Sequence, residues 1–147
     1  MDKRKQPQGS ISGVVESSVH SVWQAMLDHG FSIPDSDKQA LNLHSEAAPF
    51  TFTIGKPGSG KIHFEIDKIG HQIAVQGEWW YRGITSVAPV ESGAIITYQI
   101  YNIAPGFGWW LAQYVQCRAS LREMETSFTD NLSLIGKNLG CRAYLKD

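Results

Sequence analysis

The chain has 147 residues, 42% of them hydrophobic, and a formal net charge of −1. That is enough apolar material for one domain with its own core. Asp2, Lys3, Arg4 and Lys5 together carry +2, leaving −3 for the remainder, so no broad basic face is offered and nucleic acid is not an expected partner.

Residues 1–9 read as a short, basic, disordered lead. They are basic enough to start a signal peptide, but no apolar run comes after them, which predicts a cytoplasmic protein. Residues 10–147 then read as a single domain. A first strand is expected over 10–16, after which Ser17 or Ser18 can accept an amide proton from the first turn of a helix. In that helix Val19, Val22, Trp23, Met26 and Leu27 recur at helical spacing, so one face packs inward, and Gly30 is placed to end it. Pro34, Asp35 and Ser36 open a second, shorter helical turn. Beyond them the period becomes two, and strands are expected near 40–45, 50–55, 61–69, 71–77, 79–90 and 94–103.

Within this strand region Gly55, Lys56, Pro57, Gly58, Ser59, Gly60 and Lys61 come close to a phosphate-binding loop. Such a loop needs a Ser or Thr after the Lys and a helix whose amides face the phosphate. Here Ile62 comes next, and Ile62, Phe64 and Ile66 alternate with His63, Glu65 and Asp67, the period of a strand. The glycines therefore read as a hairpin loop. Tight connections at Gly70-His71, Gly77-Glu78 and Ser92-Gly93 extend the pattern into an antiparallel meander.

Ala104, Pro105 and Gly106 break the sheet. A period of 3.6 then runs from about Trp109 to Arg142, with an inward stripe of Leu111, Tyr114, Val115, Arg118, Leu121, Glu125, Phe128, Leu132, Ile135 and Leu139. This is one amphipathic helix roughly 50 Å long. Arg118, Arg122, Glu123 and Glu125 make it too charged to span a bilayer, so no stable membrane insertion is expected. Cys117 and Cys141 fall in the same helical pattern roughly 36 Å apart, beyond disulfide reach, and read as free thiols. The histidines show no ligand spacing with one another or with either cysteine, and no metal or cofactor is expected.

A strand, two short helices, a long antiparallel meander and a long final helix form a distinctive order. From Ser10 onward it resembles the START and polyketide-cyclase-like (SRPBCC) superfamily. The best local match runs from Val15 to Asp28, an opening strand and then a helix that carries Val22-Trp23 and ends in Leu27-Asp28; Ser17-Ser18 stands where members of that family often have Ala-Pro. The resemblance implies an α+β helix-grip fold, a curved antiparallel sheet wrapped around the C-terminal helix, with a cavity between them. Related proteins carry hydrophobic ligands, cyclise polyketides or activate chaperones, so function has to come from the site.

If Ser92-Gly93 is a two-residue turn, Val87 pairs with Tyr98, Thr85 with Ile100 and Pro89 with Ile96, and this set faces the helix. Phe64 and Ile66 face the same way. Carrying the register of the fourth strand through a tight Gly77-Glu78 turn places Trp80 and Arg82 inward, whereas the later hairpin places Trp79 and Tyr81 there. One extra residue, a bulge near Gly77 or Gly83, reconciles the two in favour of Trp79 and Tyr81.

The expected cavity is therefore lined by Phe64, Ile66, Trp79, Tyr81, Thr85, Val87, Tyr98 and Ile100 from the sheet, and by Tyr114, Arg118, Leu121 and Glu125 from the helix. Arg118 orients a polar ligand group in one reading; in the other it pairs with Glu123 or Glu125 or reaches solvent from the helix margin. The leading function is binding or carriage of a small hydrophobic, partly polar molecule such as a lipid, polyketide or aromatic compound. A cyclase or hydrolase-like enzyme using the same cavity, with Tyr81, Tyr98, Tyr114 and Glu125 as candidate acid–base groups, and a chaperone-activator-like interaction module are the alternatives. Phe107, Trp109 and Trp110 stand at the expected cavity mouth, as a lid or as a surface able to touch a membrane.

Overall fold

The expected first strand lengthens at its start, because backbone pairing rather than hydrophobic pattern fixes where it begins. In the computed structural model, which describes residues 3–29, 50–54 and 62–146, β1 runs Pro7–Val15 and pairs with a later strand from Pro7↔Tyr101 onward. Residues Pro7 to Gly9 of the expected lead thus belong to the sheet, and Lys3–Lys5 form a 3-10 turn ahead of it. Ser18 caps α1 (Val19–His29), its hydroxyl accepting the amide of Ser21 at 3.1 Å. Val22, Trp23, Met26 and Leu27 of that helix are buried, as their spacing requires.

The next strands in the chain are β2 (Phe50–Ile54), β3 (Ile62–Asp67), β4 (Gln72–Gln76), β5 (Tyr81–Val90) and β6 (Gly93–Asn102). Together with β7 (Ala143–Leu145) they form a sheet in the order β2-β3-β4-β5-β6-β1-β7, with every neighbouring pair antiparallel. Gly30, the helical turn at Pro34, the strand at 40–45 and the loop from Gly55 to Lys61 lie outside the described residues. Ile54 pairs with Ile62 across that loop, so a strand succeeds Lys61 and the hairpin reading holds over the phosphate-loop one.

Three connections differ from expectation. Asp67 pairs with Gln72, so the β3–β4 turn spans four residues, and the Asp67 carboxylate accepts the amides of Ile69 and Gly70 at 3.1 and 2.8 Å. Val90 pairs with Gly93, so Glu91 and Ser92 make the β5–β6 turn; Thr85 opposes Tyr98 and Val87 opposes Ile96. Both registers are displaced by two, and an even displacement leaves every side chain on its face. Between β4 and β5 the Gly77 amide donates to the Tyr81 carbonyl at 2.9 Å, leaving Glu78, Trp79 and Trp80 as a three-residue connection. The odd residue that the alternation demanded is taken up in the turn, not in a bulge. Tyr81 then faces in, while Trp79 remains exposed in the turn.

Asn102, which is fully buried, ties the end of β6 to the helical segment beyond it. Its side-chain amide donates to the Trp109 carbonyl at 3.0 Å and to Oε1 of Gln113 at 3.2 Å, and its Oδ1 accepts the Ala104 amide at 3.2 Å. Its carbonyl accepts the Trp109 indole N–H at 3.1 Å. From this knot the chain continues as α2 (Gly108–Ala112), a π-helical turn (Gln113–Cys117) and α3 (Arg118–Leu139), without leaving helical geometry at either junction. The π turn adds one residue of phase. Ala112 and Cys117, five residues apart, are both fully buried, whereas Leu111, Tyr114 and Val115 of the expected stripe are exposed.

Beyond the π turn the expected stripe is correct at Phe128, Leu132 and Ile135, which join α1, β3, β4, β5 and β6 residues in the core. The helix runs in the same direction as β1, with Leu121 above Gly9 and Phe128 and Leu132 above Gly13. A Cβ at Gly13 would lie 2.9 Å from Leu132 Cδ1 and 3.2 Å from Phe128 Cε1, so the glycine is what lets the helix come this close. Gly140, at φ 66°, ends α3 in the left-handed conformation and donates its amide toward Lys137 and Gly136. The helix therefore stops short of Arg142, and Cys141 lies past its cap. The chain reverses there into β7, which pairs with β1 through Val15↔Ala143.

The Gly13→Val variant is expected to lose about 1–3 kcal/mol of stability by forcing Leu132 and Phe128 off their rotamers. Equilibrium urea unfolding, read by circular dichroism, measures it.

Candidate functional site

Where α3 crosses β4, β5 and β6, the facing side chains do not fill the space between helix and sheet. Val75 of β4, Tyr81, Gly83 and Thr85 of β5 and Tyr98 of β6 form one wall; Met124, Ser127, Phe128 and Asn131 of α3 form the other. They enclose a cavity of about 110 Å³. Its sheet wall comes from alternation: Tyr81, Gly83 and Thr85 share one face of β5, and Thr85 opposes Tyr98 on β6. Its helix wall comes from the i, i+3, i+4, i+7 spacing of Met124, Ser127, Phe128 and Asn131.

Tyr81 and Tyr98 meet over Gly83, and their hydroxyls hydrogen-bond to each other. A Cβ on Gly83 would lie 2.9 Å from Tyr81 Cζ and 3.0 Å from Tyr98 Cε2, so only glycine leaves room for both rings at this point of the strand. Burial pushes both phenols above the ordinary tyrosine value. For Tyr81 the hydrogen bond from Tyr98 offsets part of that rise; for Tyr98 repulsion from an ionised Tyr81 and its own hydrogen bond add to it. Both therefore stay neutral at physiological pH, a pair of hydroxyls in a largely apolar enclosure. Among the described residues, the side chains lining the cavity include no carboxylate, imidazole, lysine or arginine.

Of the residues expected in the cavity, Tyr81, Thr85 and Tyr98 line it. Phe64, Ile66 and Val87 are on the expected face but are packed into the core, and Ile100 is likewise buried. Leu121 is half-buried and packs over Gly9. Trp79, Tyr114, Arg118 and Glu125 are exposed. The cause for Tyr114 is the π turn. Arg118 and Glu125 each sit one position past the residues that face in, Cys117 and Met124, so a rotation of one step separates expectation from structure. Arg118 makes neither of the expected contacts with Glu123 or Glu125; its guanidinium lies over the Tyr114 ring at 4.9 Å.

Val75, Gly83, Met124, Ser127, Phe128 and Asn131 were not among the expected site residues. Three of them had a sequence signal. At the same margin of the helix Met124 is the apolar neighbour of the charged Glu125, and Ser127 and Asn131 flank Phe128 with short polar side chains where an interior stripe would carry larger apolar ones.

No family model matches the chain, and no curated protein matches it. Among solved structures it is similar to a polyketide-cyclase-like protein of Corynebacterium glutamicum determined by solution NMR, at 15% identity over 89% of this chain and 91% of that one, with a TM-score of 0.46. The α+β helix-grip arrangement itself is read directly from the sheet order and the helix lying across it.

Cys117 is buried, and burial raises its thiol pKa, which keeps it from being a thiolate nucleophile. It and Cys141 are free thiols. Among the described residues no cluster of His, Cys, Asp and Glu is arranged to hold a metal ion. No described helix is long and apolar enough to cross a membrane. A larger groove of about 280 Å³ between α1 and the end of α3, lined by His20, Gln24, Asp28 and Asn138 among others, is open and polar-rimmed and lacks the enclosing apolar walls of the tyrosine cavity.

The raised phenols set a pH dependence. Unfolded tyrosines ionise near pH 10, while native Tyr81 and Tyr98 hold their protons above it. Above about pH 10 the native state then binds more protons than the unfolded one, so stability is full below that pH and falls as pH rises through it. The double variant Tyr81→Phe, Tyr98→Phe is expected to lose stability less steeply over this window, as measured by thermal melts at stepped alkaline pH.

Proposed function

We propose that the chain binds a small, mostly apolar molecule bearing a hydroxyl or carbonyl oxygen, with that oxygen at the Tyr81–Tyr98 pair. What carries the reading is the pairing of two neutral, buried phenols with an otherwise apolar enclosure, the few placed polar groups typical of a small-molecule pocket. Each phenol donates one proton and accepts through its lone pairs, so when one donates to the other the pair still has a proton for a ligand oxygen. Thr85 and Asn131 border the same space and supply further donors and acceptors. Val75, Met124 and Phe128 take the apolar part.

The enclosed volume of about 110 Å³ is of the order of a cavity that accepts a single benzene ring. A ligand of ring size enters whole; a longer polyketide or acyl chain places one end there. The cavity also shapes the enzymatic reading. Two neutral phenols stabilise a developing oxyanion, but proton abstraction needs a base. With Glu125 exposed, the described residues of the cavity wall offer none. Binding or carriage is therefore the function this site supports best, with activation of a carbonyl as the chemistry closest to it.

Ligand-observed fluorine NMR with para-fluorophenol and fluorobenzene tests the reading. Para-fluorophenol is expected to bind about tenfold more tightly than fluorobenzene, the value of one hydrogen bond. Tyr98→Phe should erase most of that difference, and Ser127→Leu, which fills the cavity from the helix side, should block both probes. Equal binding of the two probes, or binding indifferent to both substitutions, would overturn it.

A further inference from the structure

The surface ahead of the π turn is unusual in what it exposes. Phe107 is 84% exposed, Leu111 54%, Tyr114 58% and Val115 57%, with Trp110 at 45% beside them. They occupy successive turns of one helix and the turn that precedes it, and Trp79 from the β4–β5 connection lies against Gly108 at the start of α2. Large apolar side chains gathered in this way mark an interaction surface, unlike the single exposed leucines found on any protein. The π turn is what turns Leu111 and Tyr114 outward beside Val115, so the exposure is built into the backbone.

Charge decides between occupants. From Ile103 to Arg122 the chain has no Asp or Glu, and Arg118 and Arg122 are its only charges. Both arginines are exposed on the helix directly after the apolar group, and Arg118 is held against the Tyr114 ring. Glu123 and Glu125 come only after Arg122, and Glu78 stands beside Trp79 in the neighbouring turn. A second copy of the chain docked about a twofold axis would bring like-charged arginines together. An anionic bilayer instead offers an apolar layer for Phe107, Trp110, Leu111 and Val115, with negative headgroups at the level of the guanidinium groups. Trp and Tyr side chains suit that boundary, where one end is apolar and the other wet.

We infer that the face formed by Phe107, Trp110, Leu111, Tyr114 and Val115, bordered by Arg118 and Arg122, docks reversibly on anionic membrane surfaces. The docking is peripheral, with the start of the helix resting in the headgroup boundary. It does not depend on what the tyrosine cavity binds, because none of these residues lines that cavity.

Vesicle sedimentation with the full chain tests it, using phosphatidylcholine alone and phosphatidylcholine mixed with phosphatidylglycerol. The expected result is binding to the mixed vesicles that weakens as salt is added, and little binding to phosphatidylcholine alone. Arg118→Gln with Arg122→Gln should weaken it about thirty-fold, at roughly one headgroup-level charge each. Phe107→Ser with Leu111→Ser should weaken it at least about tenfold. Both pairs change solvent-exposed side chains, and unchanged circular dichroism and melting confirm the fold. Failure of the wild type to sediment with anionic vesicles overturns the proposal, as does binding that neither pair of substitutions affects. Concentration-dependent dimerisation abolished by Phe107→Ser with Leu111→Ser, without vesicle binding, would instead assign the face to a second copy.

Discussion

A seven-stranded antiparallel sheet has one face to bury, and among the described elements only α1 and the long C-terminal helix are there to bury it. The contact that makes this work is the close approach of α3 to β1 over glycine. Gly9 and Gly13 leave the strand without side chains where Leu121, Phe128 and Leu132 descend, so the helix lies near the backbone on this side. Ile135 and the buried face of α1 extend the same contact into the core. Asn102 fixes the other end of the helix by giving its amide to Trp109 and Gln113. Between these two attachments the helix path is set, and the cavity is what remains on the β4–β6 side, where Gly83 on the sheet and Ser127 and Asn131 on the helix are too small to close the gap.

Much of this was legible from alternation and helical spacing. The strand faces of β3, β5 and β6 were readable because the side-chain period is two, and the same fact protected them from error: the turns at Asp67 and at Glu91-Ser92 were each mislocated, yet both registers moved by an even number and no residue changed face. The β4–β5 junction required an odd correction, and sequence alone could show that a residue had to be absorbed without showing where. The three-residue Glu78-Trp79-Trp80 connection absorbs it, which keeps Tyr81 inward and leaves Trp79 outside.

The start of β1 and the whole of β7 were less legible, since Pro7 and Gly9 carry no apolar alternation and are placed by pairing with β6, and Ala143 to Leu145 are too few to show one and are placed by pairing with β1. The helix phase failed for a different reason. An α-helical period carried backward from Phe128 is right to Leu121 and wrong beyond the π turn, and nothing in the residues Gln113 to Cys117 marks where an extra residue enters the ladder. The π turn accounts for Tyr114, whereas Arg118 and Glu125, which lie after it, miss by the one position that separates them from Cys117 and Met124; Tyr81, Thr85 and Tyr98 were legible from the sheet.

The π turn also has a meaning at the level of the gene. It is worth one residue of helical phase, about 100° of rotation for everything ahead of it. Loss of a single codon anywhere in Gln113–Cys117 would let the segment close into continuous α-helix. Ala112 and Cys117 would then stand four residues apart, within about 40° of one another around an α-helix, so both would keep facing inward and Leu111 would stay outside. The π turn therefore carries five residues where an α-helix carries four without disturbing the phase on either side, and the division between aromatic exterior and sealed interior would survive the loss of three nucleotides here.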